Sequence, residues 1–255
     1  MAKYDHIGLT ISDQVAILNF DRPDQLNAMN RRMMDEIIDA LETITQDPDV
    51  RVGIITGKGR AFMAGADIKE YAGQTPQQFD AFREKGLQLY QLIEEADIPF
   101  IAAVNGFALG GGFEIALSCD FIVAAATAAM GLPEIHLGLI PGGGGAYRLF
   151  QKIGLNRVKE MLMLGQPYSA EEMQRWGIVF KVAGEEQVMS DALQLAEKLK
   201  RRSASSLRTL KKMLSPRQTE KSFKEQMMQE GKSVLGLFYN EEAQQLIKAF
   251  MDKNK

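Results

Sequence analysis

The sequence predicts an α/β fold in which a mixed α/β core is followed by a helical C-terminal region. Short β-rich apolar runs alternate with amphipathic helical segments as far as about Gly154, and helices dominate from there on. Two strands each lead into a turn of small residues, at 61–68 and 105–114, which gives the core a weak internal repeat. A chain of 255 residues has room for one or two domains. Because no low-complexity linker divides it, we expect one core with a helical extension.

The individual elements follow from apolar spacing and from punctuating residues. Two β-rich runs around Ser12-Asp13-Gln14 predict a hairpin, and Asn30 is a suitable N-cap for the first long helix. Glycines 154, 165 and 177 end helical segments. The predicted strands are residues 7–11, 15–20, 52–56, 99–104, 121–124 and 178–182. The predicted helices are residues 31–45, 75–95, a short segment ending at Ser118, 147–153, 156–164, 170–176 behind a Ser169 cap, 186–201, 203–214, 219–238 and 241–253.

The composition is that of an ordinary globular protein, with 45% hydrophobic and 25% charged residues. A net charge of −3 gives no indication of a nucleic-acid partner. Cys119 is the only cysteine, and we expect it to be a core residue. The N-terminus lacks the apolar segment of a signal peptide, and no apolar run reaches the ~18 residues of a membrane span. We therefore expect a cytoplasmic protein without membrane contact, with a processed mitochondrial matrix protein as the alternative.

The segment 105–114, NGFALGGGFE, is the first candidate for a functional site. Three consecutive glycines are unfavourable for folding, so they indicate a close approach to the backbone. They precede an apolar helix, whose N-terminus offers unpaired N–H groups and the positive end of a dipole. Glu114 lies three residues after Gly111, on nearly the same side of the first turn. We expect this turn to form half of a catalytic site, in which an oxygen bound by the Gly111 N–H has a carboxylate nearby.

The segment 61–68, AFMAGADI, is the second candidate. Asp67 is expected to cap the helix that begins at Ile68. The backbone N–H groups of residues 64–66 would then be available to a ligand. Two N–H groups from two separate turns are what an oxyanion hole requires.

Two glutamates are candidates for acid–base chemistry. Glu134 follows Pro133 in a turn with apolar neighbours, and it could share a water molecule with Glu114. The alternative is purely structural: Glu114 satisfies a helix N-terminus and Glu134 is solvated. His6 and His136 do not form a metal-ligand spacing, so no metal site is expected.

Three segments closely resemble the enoyl-CoA hydratase (crotonase) family. They are AFMAGADIKE at 61–70, AVNGFALGGGFE at 103–114 and PEIHLGLIPG at 133–142. The resemblance covers almost the whole chain. It implies a spiral of repeated ββα units in residues 1–195 and a helical trimerisation region in residues 196–255. It also implies homotrimers, often paired into hexamers.

The resemblance also implies a site and a reaction. The N–H groups of Ala66 and Gly111 would bind the thioester oxygen of an acyl-CoA substrate. Glu114 would take a proton from the water that attacks C3, and Glu134 would deliver a proton to C2. No cofactor is implied beyond the CoA of the substrate. The implied substrate and CoA contacts are Ala64, Ala66, Ile68, Lys69, Gly111 and, from a neighbouring subunit, Lys253.

The chain departs from the family pattern around the acyl pocket. Leu132 stands where hydratases usually have a polar residue, Met130 replaces a frequent Phe, and the run 142–145 is unusual. These departures keep other reactions of the family open: double-bond isomerisation, decarboxylation, hydrolysis or another lyase reaction. A catalytically silent acyl-CoA-binding protein is a further alternative, against which both glutamates and both glycine turns argue.

Overall fold

The computed structural model describes residues 4–214, 220–239 and 241–253. The strands are β1 (Ile7–Ser12), β2 (Val15–Phe20), β3 (Val52–Gly57), β4 (Ala61–Met63), β5 (Phe100–Val104), β6 (Phe107–Leu109), β7 (Phe121–Ala125), β8 (Ala129–Gly131), β9 (Tyr168–Ser169) and β10 (Lys181–Ala183). The helices are α1 (Arg31–Gln46), α2 (Ile68–Tyr71), α3 (Pro76–Glu95), α4 (Gly111–Ser118), α5 (Gly145–Leu164), α6 (Ala170–Arg175), α7 (Val188–Lys200), α8 (Ala204–Leu214), α9 (Glu220–Phe238) and α10 (Glu241–Lys253). Short 3-10 helices span Pro23–Gln25, Glu134–Leu137 and Glu185–Gln187.

The larger sheet has six strands in the order β1-β2-β3-β5-β7-β10. The hairpin predicted from the sequence is confirmed, because β1 and β2 pair antiparallel, whereas every other neighbouring pair in this sheet is parallel. Parallel neighbours need crossover connections, and helices supply them. Helix α7 packs against β3, β5 and β7 of this sheet.

The smaller sheet has four strands in the order β4-β6-β8-β9. Consecutive strands alternate between the sheets: β3, β5 and β7 enter the larger one, and β4, β6 and β8 enter the smaller one. Each pair leads into a helical segment, which gives the repeated ββα units that the resemblance implied. β4 and β6 lie in segments that the sequence predicts to be turns, and β8 and β9 are not predicted. These strands have two or three residues, too few for an apolar alternation to show.

The helix signals are mostly confirmed. The Asn30 side chain accepts a hydrogen bond from the Met33 N–H at 2.8 Å, and Ser169 forms a capping box with Glu172. The two helices predicted on either side of Gly154 are one element, α5, with a kink at that glycine (φ 73°, ψ 164°). The last strand lies at Lys181–Ala183, later than predicted. Thr219, where the ninth predicted helix begins, lies outside the described residues.

Most buried side chains form one core around the larger sheet, and Cys119 belongs to it, as predicted. A second, smaller cluster lies where α9 packs against α3, and it includes Leu139 and two residues of α10. In it the rings of Phe79 and Phe238 stack with their centroids 3.9 Å apart. This cluster holds α9 over one end of the cavity described below. No helix in the described ranges combines the length and the apolar character needed to cross a membrane.

Asn27 ties the first turn to the rest of the core. It is fully buried and left-handed (φ 56°). Its Nδ2 donates to the carbonyl oxygens of Lys58 (3.0 Å) and Ala61 (2.8 Å), and its Oδ1 accepts from the Arg22 N–H (2.8 Å). Replacement by a side chain without these groups leaves buried backbone polar atoms unpaired.

We predict that Asn27→Ala lowers the free energy of unfolding by about 1–3 kcal/mol, the cost of unpaired buried polar groups. Urea unfolding at fixed protein concentration measures the change. Asn156→Ala is the matched control, because Asn156 is exposed, and its effect should stay within about 0.5 kcal/mol. Equal effects of the two substitutions would show that Asn27 does not hold this turn.

Candidate active site

A cavity of about 110 Å³ lies between α3, the N-terminus of α4, the 3-10 helix at residue 134 and α9. The four residues predicted to be catalytic all line it: Ala66, Gly111, Glu114 and Glu134. The other side chains that line it are mainly apolar, and they include Met29, Phe79, Leu139 and Val234. The structure thus brings both glycine turns and both glutamates to one enclosed space.

The Ala66 amide is available to a ligand because of the way its neighbours pair. The Met29 N–H donates to the Gly65 carbonyl oxygen at 2.8 Å, and the Asp67 N–H donates to the Met29 carbonyl oxygen at 2.9 Å. In such a parallel bridge the polar groups of the intervening residue point the other way. No hydrogen bond within the described ranges uses the Ala66 N–H.

The Gly111 amide is available because Gly111 is the first residue of α4. The first N–H groups of a helix have no partner within it, and the first such bond here joins the Glu114 N–H to the Gly110 carbonyl oxygen at 3.0 Å. Gly110 has φ 51° and ψ −127°, a conformation that residues with a Cβ rarely adopt. This glycine therefore permits the sharp turn from β6 into α4.

The third glycine of the run has a structural role that the sequence did not reveal. A Cβ on Gly112 would collide with the Met63 carbonyl oxygen, at the end of β4. The close approach expected at this run is therefore, at Gly112, an approach of the other turn's backbone. Because Gly112 has no side chain, the backbones of the two turns can pack in direct contact.

Two expectations for the first turn were wrong. The Ala64 N–H is not available to a ligand, because it donates to the Leu26 carbonyl oxygen at 3.0 Å. Asp67 occupies the N-cap position of α2, but its side chain makes no capping hydrogen bond. Its carboxylate instead pairs with Arg22 Nη2 at 3.1 Å, since a charged partner binds a carboxylate more strongly than a neutral N–H does.

Glu114 is buried, and its Oε1 accepts hydrogen bonds from the N–H groups of Gly143 (2.9 Å) and Gly145 (2.8 Å). These amides form the N-terminus of α5. A Cβ on residue 143 would lie 2.6 Å from Glu114 Oε2, and one on residue 145 would lie 2.9 Å from Oε1. The second glycine run therefore admits the Glu114 carboxylate. The structural alternative weighed above is half right, because Glu114 does satisfy a helix N-terminus, that of α5.

Burial raises the pKa of Glu114, while the charge of Arg148 and the two amides oppose this rise. Arg148 is itself buried and binds Glu94 through Nε at 2.6 Å and Nη2 at 3.1 Å. It also donates to the Gly143 carbonyl oxygen. The net effect is a carboxylate that is more basic than an exposed glutamate, as a general base requires.

Tyr90 completes the surroundings of Glu114. Its hydroxyl donates to Glu114 Oε2 at 3.3 Å. Burial, with the nearby charge of Glu114, raises the pKa of Tyr90 well above its usual value, so the hydroxyl stays protonated. Because two amides already occupy Oε1, Oε2 is the oxygen with capacity left to accept a proton. Sequence reasoning missed Tyr90 and Arg148; the available signal for Tyr90 was its place on the inner face of α3, eleven residues after Phe79.

Glu134 lies beside the start of α4. It begins the 3-10 helix after Pro133 and is half-buried. A Cβ on Gly110 would lie 3.1 Å from its Oε1, which places this carboxyl group beside the residue that precedes the Gly111 amide. Glu134 and Glu114 therefore both lie near the start of α4 and both line the cavity.

The predicted CoA contacts are less directly placed. Ile68 and Lys69 begin α2 and do not line the catalytic cavity. Lys69 lines a second, more open cavity of about 600 Å³ together with Arg22 and Asp67. Lys253 is the last residue of α10, and its side chain lies outside the described part of the chain. The CoA contacts remain predictions.

Both the sequence and the fold of this chain match those of known proteins. A family model described as enoyl-CoA hydratase/isomerase matches residues 10–255. A probable enoyl-CoA hydratase of Mycobacterium tuberculosis is 36% identical over 250 residues, which cover 98% of this chain and 96% of that protein. The 2,3-dehydroadipyl-CoA hydratase of Escherichia coli is 35% identical over 240 residues, covering 94% and 93%.

A solved structure of an enoyl-CoA hydratase subunit from Geobacillus kaustophilus is 38% identical and has a TM-score of 0.80. The alignment covers 100% of this chain and 98% of that one. The sequence match, the repeated ββα architecture and the two glycine turns lead to one conclusion: this chain belongs to the enoyl-CoA hydratase/isomerase family.

Proposed function

We propose that this protein is an enoyl-CoA hydratase, which adds water across the 2,3 double bond of a 2-enoyl-CoA thioester. The observation that carries the proposal is that two available amides and two carboxyl groups line one cavity. The relatives from Mycobacterium tuberculosis and Escherichia coli are both named as hydratases, which supports the proposal.

The amides of Ala66 and Gly111 would bind the thioester oxygen. Their partial positive charges draw electrons toward that oxygen, which makes C3 electrophilic and stabilises the enolate formed after attack. By analogy with other oxyanion holes, each donor would contribute about 3–4 kcal/mol to transition-state stabilisation. The preceding turns hold these amides in place before substrate binds.

The two glutamates would divide the proton transfers. Glu114 Oε2 takes a proton from the water whose oxygen bonds to C3, and the π electrons move toward C2 and the thioester oxygen. Glu134 then gives a proton to C2 as the enolate collapses. Water is thereby added as hydroxyl at C3 and hydrogen at C2. The presence of both carboxyl groups in the lining of one cavity supports this division.

Self-association is part of the proposal. We infer a homotrimer or a dimer of trimers, with residues 196–255 as the association region and 1–195 as the catalytic core, and with Lys253 reaching a neighbouring subunit's CoA. Large apolar side chains exposed on α8, α9 and α10 support this inference. They are Leu210, Met213, Leu214, Met228, Leu246 and Phe250.

We predict that the purified protein hydrates crotonyl-CoA and that Glu114→Gln and Glu134→Gln each lower kcat by about 10²–10⁴-fold, the usual contribution of a positioned acid or base. Turnover in water labelled with ¹⁸O, followed by mass spectrometry, should place the label on C3. An isomerase would give a product of unchanged mass. Glu160→Gln, outside the cavity, is the control, and rates near normal in both cavity variants would disprove the acid–base assignment.

A second prediction concerns the Gly111 amide. Gly111→Pro removes the N–H at a helix position that tolerates proline, and it should lower kcat by about 10²–10³-fold. Gly111→Ala keeps the N–H and adds a Cβ, which would lie 3.2 Å from Tyr90 Oη, so it controls for crowding. Circular dichroism checks that both variants fold. If the proline variant is no slower than the alanine variant, Gly111 does not bind the thioester oxygen.

A third prediction concerns Tyr90. Its hydrogen bond lowers the pKa of Glu114, so Tyr90→Phe should raise that pKa further. Glu114 acts as the ionised base, so the acidic limb of kcat/KM should move to higher pH, and kcat should fall by about tenfold. Tyr168→Phe is the matched control, since it removes a hydroxyl that also donates to a glutamate, Glu160, at 3.3 Å. If Tyr90→Phe leaves the acidic limb of kcat/KM unchanged, Tyr90 does not influence the pKa of the general base.

A further inference from the structure

Arg83 is the one lysine or arginine among the described residues that line the catalytic cavity. Its side chain is only 14% exposed. The hydration mechanism above makes no use of it. A buried cation beside an otherwise mainly apolar acyl pocket is costly unless something in that pocket needs it.

The position of Arg83 along α3 places it away from the reacting atoms. Tyr90, Gly86, Arg83 and Phe79 succeed one another on the face of α3 that lines the cavity. Arg83 precedes Tyr90 by two helical turns, about 10 Å along the axis. An acyl chain that starts beside Glu114 and runs along this face passes Gly86, where the absent side chain leaves space, and approaches Arg83.

The guanidinium group of Arg83 has N–H donors that its pairing with Asp80 does not use. Asp80 Oδ1 accepts from Arg83 Nε at 3.2 Å and from Nη2 at 2.9 Å. A guanidinium has five N–H donors, and the hydrogen bonds of Arg83 with Asp80 use only Nε and Nη2. The Asp80 side chain is 39% exposed, so solvent weakens its ion pair with Arg83.

Helix α9 makes room for the same group. A Cβ on Gly231 would collide with Arg83 Nη1 and would lie 2.6 Å from Cζ. Glycine within a helix is unfavourable, so its presence here calls for a reason. Three residues later Val234 lines the cavity. Gly231 therefore lets the guanidinium lie between α3 and α9, beside the acyl pocket.

We propose that the substrate is a 2-enoyl-CoA whose acyl chain ends in a carboxylate, and that Arg83 binds this carboxylate. The inference rests on the proposed hydration and deepens it. Glu114, the proposed base, already brings negative charge to the cavity, so a further carboxylate enters only if a cation pairs with it. A guanidinium suits this task, because it can donate two parallel hydrogen bonds to a carboxylate. A methyl terminus would desolvate the same cation without pairing with it.

The test compares two substrates of equal carbon number: 2-hexenedioyl-CoA, which ends in a carboxylate, and 2-hexenoyl-CoA, which ends in a methyl group. The wild-type protein should show a kcat/KM at least about tenfold higher for the first. Arg83→Met keeps the length and removes the charge. It should lower kcat/KM for 2-hexenedioyl-CoA by about tenfold or more, mainly through KM, and leave 2-hexenoyl-CoA unchanged or better.

Two further variants separate binding from folding. Gly231→Ala displaces the guanidinium while favouring the helix, so it should reduce the preference for 2-hexenedioyl-CoA without lowering thermal stability. Arg157→Met is the matched control, because Arg157 forms a comparable pair with Glu160, three residues away, outside the cavity. It should leave the preference unchanged.

The outcomes are distinct. A wild-type protein that prefers 2-hexenoyl-CoA, or an Arg83→Met variant that slows both substrates equally, overturns the carboxylate proposal and leaves hydration standing. A wild-type protein that hydrates neither these substrates nor crotonyl-CoA overturns the proposed function itself.

Discussion

The site depends on one interaction, the pair of hydrogen bonds from the Gly143 and Gly145 amides to Glu114 Oε1. A carboxylate buried without such partners would take up a proton or destabilise the fold. The amides oppose the rise in its pKa that burial causes, and they hold Oε1 in place. Other residues are constrained by this carboxylate. Residues 143 and 145 must be glycine, because Cβ atoms there would displace it, and Arg148 needs Glu94 to offset the cost of its own burial.

The other half of the site is the pair of available amides. The fold supplies it by bringing two turns that are distant in the sequence into contact. Alternation of strands between two sheets brings the end of β4 against the start of α4, where Gly112 admits the Met63 carbonyl oxygen. Pairing of Met29 with residues 65 and 67 turns the Ala66 amide away from the sheet. Neither amide belongs to a side chain, so the residue types at these positions matter through the backbone they permit.

Features encoded locally could be predicted from the sequence. The hairpin, the long helices and the Asn30 cap follow from spacing and from single residues, and both glycine runs contribute residues to the candidate site. Features decided by distant partners could not be predicted. Asp67 pairs with Arg22, 45 residues away, and so does not cap; Ala64 loses its free amide to Leu26. The short strands of the smaller sheet show no apolar alternation in the sequence and depend on pairing with neighbouring strands. The hydrogen bond from Tyr90 to Glu114 exists only because α3 packs against α4.

Glu114 is the proposed general base, and burial raises its pKa. The most direct measurement is a ¹³C NMR titration of protein labelled at the glutamate carboxyl carbons, with the Glu114 signal assigned by its loss in Glu114→Gln. We expect a pKa above the usual value of about 4.3 and in agreement with the acidic limb of kcat/KM for hydration of crotonyl-CoA. A Glu114 signal that titrates in the ordinary range, or an acidic limb that follows a different group, would contradict the account.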